Sequence, residues 1–183
     1  MKTNRTPEST SYHETGHAIM SWLLDIPIIK VTNMPEGTTL GKLFTDKSRF
    51  DTFDWDGFSE LDWEVRKLLE EHVVLSLAGR IAEEKYLGHT DLPVYSDEGL
   101  SFQILTSLSS GSEEAQAYYN WLHIRTERKI FSETNWYIIE AVAKELIIHK
   151  ELSGDQVYEI IKNAVKELIK RKENERREEL DLS

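Results

Sequence analysis

No cysteine occurs in this sequence. Disulfide staples and thiolate metal sites are thereby excluded, and any transition metal must sit on histidine and carboxylate ligands. No apolar run reaches the length of a membrane-spanning helix. The amino-terminal MKTNRTPEST has no apolar core of the signal-peptide kind. A cytoplasmic protein with no membrane partner is therefore expected. Positive charge is also short: 22 Lys and Arg stand against 33 Asp and Glu, for a formal charge of −11. Such a surface repels phosphate backbones, so no nucleic-acid partner is expected. What is present is an ordinary globular composition, 39% apolar and 30% charged. The 183 residues suffice for one domain with a real core and are short for two.

Thr6-Pro7 reads as a helix start, with Thr as N-cap and Pro at the first helical position. Helical periodicity runs to about Leu24, and Asp25-Ile26-Pro27 ends it. IIKVTNM is rich in β-formers, PEGTT supplies turn residues, and LGKLF returns as a second strand, giving a small hairpin. Residues 45–58, TDKSRFDTFDWDGF, are acidic, aromatic and irregular. A calcium loop through Asp54, Asp56 and Gly57 fails, because Thr52 and Trp63 fall in its first and last ligand positions. A surface loop is expected there.

Ser59 with Asp62 caps a long helix that Gly88 closes. A linker, HTDLPVYSDEG, follows. Helical segments are expected near 100–109, 112–131 and 133–150, with a last one from Ser153 into the tail. No internal repeat is visible. The expected fold is mainly α, with one small β-hairpin after the first helix. A single domain over 1–172 precedes a charged tail, 173–183, read as a solvated helix end.

Two of the six histidines stand four residues apart in SYHETGHAIMSW, with a glutamate directly after the first. At about 100° per residue, His13 and His17 lie roughly 40° apart on the helix, one turn above each other. Glu14 falls about 60° beyond His17, beside that line. This spacing is what a zinc peptidase needs: two imidazole ligands and a carboxylate aimed at water on the metal. Such a carboxylate takes the water's proton and passes it to the leaving amine. The alternative is a pair of core histidines. A chain of this composition shows the pattern by chance in roughly one case in fifty.

Ile19, Met20, Leu23 and Leu24, with Trp22, make the same helix apolar enough to be buried. Gly16 leaves space for close approach by another element. A third protein ligand must come from farther along. His72 reads as a partly buried packing residue. His89 borders a glycine turn, and His123 and His149 lie on later helices. Glu83 and Glu84 face solvent or hydrogen-bond a ligand imidazole. Asp91 and Asp97 stand in the linker.

At this point the sequence resembles a known family. SYHETGHAIMSWLL is similar to the zinc-binding helix of the FtsH-type peptidases, the proteolytic domain of membrane-bound AAA proteases. KVTNMPEGTTLG resembles that family's strand-turn-strand, LAGRIAEEKYLG its Gly-Arg-x-Ala-Glu-Glu helix end, and NWYIIEAVAKELIIHKELSGDQVYEII its closing helices. The matching pieces keep their order over about residues 9–165.

The resemblance implies a mostly helical zinc endopeptidase with Zn2+ on His13 and His17 and Glu14 as general base. It implies an Asp as third ligand. YSDEGL, hence Asp97, is the nearest match to the family's stretch, and Asp91 in HTDL is the fallback. It implies a polypeptide substrate, extended along a strand edge near 38–44. This sequence has no Walker Gly-Lys-Ser/Thr loop. A peptidase without its own ATPase is therefore expected, cutting unfolded chains or working with a separate unfoldase. Because FtsH-type peptidases form rings, a homo-oligomer is compatible with the resemblance. The alternative reading is a non-catalytic, metal-stabilised binding or regulatory domain on the same fold.

Overall fold

A computed structural model describes residues 6–36, 40–46, 63–88 and 96–181, apart from the side chains of 96–98, 100 and 179–181. The first helix, α1 (Pro7–Leu23), starts as its sequence dictates. Thr6 stays extended, its hydroxyl accepts from the Ser9 backbone N–H at 3.1 Å, and the Ser9 hydroxyl accepts from the Thr6 N–H at 3.2 Å. This reciprocal cap satisfies amide donors that a helix start leaves over. At the other end Asp25 turns left-handed, with φ 55°.

Two strands follow, β1 (Ile28–Thr32) and β2 (Lys42–Thr45). They pair antiparallel, with Val31 opposite Leu43, Thr32 opposite Lys42 and an irregularity between Ile28 and Lys30. This is the expected hairpin. A third strand, β3 (Glu151–Ser153), joins the other side of β1, so the order is β2-β1-β3. The three-residue ELS carries no periodicity of its own. Its pairing comes from Leu152, buried opposite Val31.

The remaining elements are helical: α2 (Trp63–Leu87), α3 (Ser96–Ser107), α4 (Ser112–Phe131), α5 (Glu133–His149) and α6 (Gly154–Asp181). Gly88, at φ +73°, ends α2 in the left-handed conformation that a side chain disfavours. The backbone is helical from Ser96, earlier than the expected start near 100. Asp97 therefore lies in the first turn of α3 and not in a linker. Asp91, His89 and the acidic stretch 47–58 lie outside the described residues. The tail continues α6 as helix to Asp181, exposed from Ile169 to Glu178.

The fold is mainly α, as expected, and α1 runs through its centre. Every residue from Ser9 to Ser21 is buried. Helices α2 and α5 and the sheet pack on α1, and its longest contact is with α2. Gly16 sets that approach. A Cβ there would lie 2.5 Å from the Ala78 carbonyl oxygen and 2.7 Å from the Ala82 Cβ. Tyr12 stacks on Tyr86 of α2, with ring centroids 4.0 Å apart, and on Trp136 of α5 at 5.8 Å. No described helix is long and apolar enough to cross a membrane.

Candidate metal centre

The helical spacing brings His13 and His17 together as expected. Their Nε2 atoms lie 3.1 Å apart and their ring planes are 78° apart. His13, Glu14 and His17 are 4%, 6% and 9% exposed. Helix α2 holds both rings from behind. The Glu83 carboxylate, fully buried, lies 3.0 Å from His13 Nδ1, and the Leu75 carbonyl lies 2.8 Å from His17 Nδ1. A carbonyl oxygen only accepts, so His17 carries its proton on Nδ1. An ionised Glu83 accepts from His13 Nδ1–H in the same way. Both Nε2 lone pairs then point at one place.

Two nitrogen lone pairs held this close repel unless a positive species lies between them. A shared proton satisfies the pair, and so does a divalent cation. Two imidazole nitrogens on one tetrahedral zinc stand about 3.3 Å apart, close to the separation found here. The backing of each ring by a carboxylate or a carbonyl is also the arrangement that fixes a metal-binding tautomer. The residues present therefore fit a metal ion.

Gly79 provides the floor. A Cβ at that position would run into the His17 ring, at Nε2, Cδ2 and Cε1. The sequence marked this glycine only as the start of the Gly-Arg-x-Ala-Glu-Glu match, with no role at the site, and did not mark the Leu75 carbonyl. A glycine inside a long helix, at some cost in propensity, is a further signal that marks the position.

Among the described residues no third His, Cys, Asp or Glu completes a cluster around the pair. The Asp97 backbone opens α3, and its side chain is outside the described set. His72 is half-buried on α2. His123 lies beside the Tyr119 ring, and His149 pairs with Glu145 at 3.2 Å. Glu84 pairs with Arg80 at 2.7 Å. Of the two adjacent glutamates, Glu83 faces the histidines.

Among the described strands β2 lies at an edge of the sheet, beside α1. Just before it, Gly41 lies directly over the Glu14 side chain.

Residues 1–97, just over half of the sequence, match Peptidase family M41. The chain belongs to peptidase family M41. Its M41 relatives include the ATP-dependent zinc metalloprotease YME1L1 of Rattus norvegicus, 36% identical over 89 residues, which are 46% of this chain and 11% of that protein. The ATP-dependent zinc metalloprotease FtsH of Parabacteroides distasonis is 37% identical over 78 residues, 42% of this chain and 10% of that one. FtsH of Haemophilus influenzae is 35% identical over 92 residues, 49% of this chain and 13% of that one. The chain thus spans about a tenth of the length of these M41 relatives.

Proposed function

We propose that this M41 chain is a zinc-dependent endopeptidase that cleaves unfolded proteins or peptides. The observation that carries the reading is the 3.1 Å approach of the His13 and His17 Nε2 atoms, with Glu14 buried beside them. His13, His17 and Asp97 are the proposed metal ligands, with Asp91 as the fallback for the third. Zinc bound there supplies a Lewis acid that acidifies water and polarises the scissile carbonyl.

The chain's own residues do the rest. Glu83 and the Leu75 carbonyl hold the two imidazoles in the Nδ1–H tautomer. The Glu14 carboxylate accepts a proton from the attacking water and returns it to the leaving amine as the carbon–nitrogen bond breaks. The edge of β2 that no described strand covers accepts an extended substrate through backbone hydrogen bonds and holds its peptide plane beside Glu14. The relatives are named ATP-dependent. The reading assigns peptide-bond cleavage to this fold and delivery of unfolded polypeptide to an unfoldase, in the same protein or a separate one.

The test is hydrolysis of casein by the zinc-loaded chain and by Glu14→Gln. The expected result is cleavage by the wild type and at least a hundredfold loss in the variant, with zinc content unchanged. A zinc-loaded wild type that leaves diverse unfolded substrates intact contradicts the reading and favours the non-catalytic alternative.

A further inference from the structure

The geometry points to Gly41 as a positioning residue for Glu14, an inference that rests on the peptidase reading above. Gly41 is not in the left-handed region, which among the described glycines holds Gly88 alone. Backbone conformation therefore does not demand a glycine here. Space does. A Cβ at position 41 would lie 2.8 Å from Glu14 Cγ, 2.8 Å from Thr10 Cγ2 and 2.9 Å from the Thr32 carbonyl oxygen. Real Cβ atoms essentially never come within 3.0 Å of such atoms.

The three walls differ in compliance. Thr32 belongs to β1 and pairs with Lys42, so its backbone is fixed as part of the sheet. Thr10 is buried and β-branched on a helix, where its side chain has few rotamers. Glu14 is buried as well, but its unbranched stem is less restricted at χ1 than a β-branched side chain on a helix. A methyl group at position 41 is therefore accommodated chiefly by turning Glu14. The bare backbone at 41 has the converse effect: it lets the chain entering β2 lie flat on α1 and confines the Glu14 stem from above. The strand edge proposed to hold substrate and the carboxylate proposed to move the proton are set against each other at this one residue. Gly41 acts through Glu14.

The experiment uses the full chain carrying Gly41→Ala, Glu14→Ala, both together, and Gly41→Ala with Thr10→Ser. Unfolding midpoints are measured for the first three, and zinc content, kcat and KM on casein for all. Gly41→Ala is expected to keep wild-type zinc content and KM and to lose about tenfold to a hundredfold in kcat, the scale of a misplaced catalytic group. Thr10→Ser removes one of the three obstructing atoms, so it is expected to restore part of that loss. Gly41→Ala is also expected to lower the unfolding midpoint less in the Glu14→Ala background than in the wild type, because the obstructing stem is gone. Additive midpoints, or an unchanged kcat at wild-type zinc content, overturn the proposal. Non-additive midpoints in a chain whose wild type does not cleave overturn the peptidase reading, and the positioning role with it, while leaving the steric contact established.

Discussion

Glu83 is a fully buried acid set against an imidazole. Burial of a carboxylate is costly unless it is paired, and its partner here is the Nδ1 side of His13. Its value lies in holding that ring so that Nε2 faces His17. Glu83→Ala is expected to weaken zinc binding about 10- to 100-fold, the usual effect of losing such a backing group. Glu83→Gln keeps an acceptor and is expected to lose less. Competition with a chromophoric chelator measures both, and wild-type affinity in Glu83→Ala would contradict the role. The convergence of His13 and His17 was legible in the sequence, because helix period alone puts the two rings in one column. Glu83 was half legible: its two alternatives were solvent or a ligand imidazole, and the rotation of α2 against α1 decides between them. The Leu75 carbonyl was not legible, since every residue has one and only the packing selects it.

Close approach of α1 to α2 is what brings those groups within reach, and Gly16 sets it. Gly16→Ala places a methyl against the Ala78 carbonyl and the Ala82 side chain. Overpacking of this kind costs about 1–3 kcal/mol, which denaturant unfolding measures. An unchanged unfolding midpoint would mean that the helices are not pressed together there. Helix α2 is tied to α4 in a different way, by the Tyr118 hydroxyl donating to the Glu70 carboxylate. Burial, then the hydrogen bond and charge of Glu70, push the Tyr118 phenol up to about 12 from an ordinary 10.0. The raised value means that the folded state favours the neutral phenol. The tie is at full strength below about pH 10 and is lost as pH rises from there through about 12. Tyr118→Phe is expected to flatten the alkaline fall in stability across that window. An identical fall in the variant would remove Tyr118 as its cause. The hairpin and the long helices were legible from alternation, helical period and the Gly88 stop. Strand β3 was not, because three residues carry no period and pair only once α5 and α6 have delivered them to β1.

At the scale of the whole molecule, the site lies on a helix buried on every side, with the sheet and two further helices packed on it. A ligand that binds only the folded form adds to the free energy of unfolding. Zinc at a hundredfold excess over its dissociation constant is expected to add about 2.7 kcal/mol and to raise the melting temperature. Chelation is expected to reverse the gain, and a chain with His13→Ala and His17→Ala is expected to show none. An equal zinc response in that double variant would place the ion elsewhere. Membership of the M41 family was legible in the order of motifs along the chain, from the histidine helix through the Gly-Arg helix end. The proposed third ligand was less so, because YSDEGL departs from the family pattern at the start of α3.

X-ray absorption at the zinc edge of the reconstituted full chain addresses the pair of imidazoles most directly. The account predicts one zinc per chain with two imidazole nitrogens at about 2.0–2.1 Å and the remaining ligands oxygen. A zinc shell with fewer than two imidazoles would contradict it.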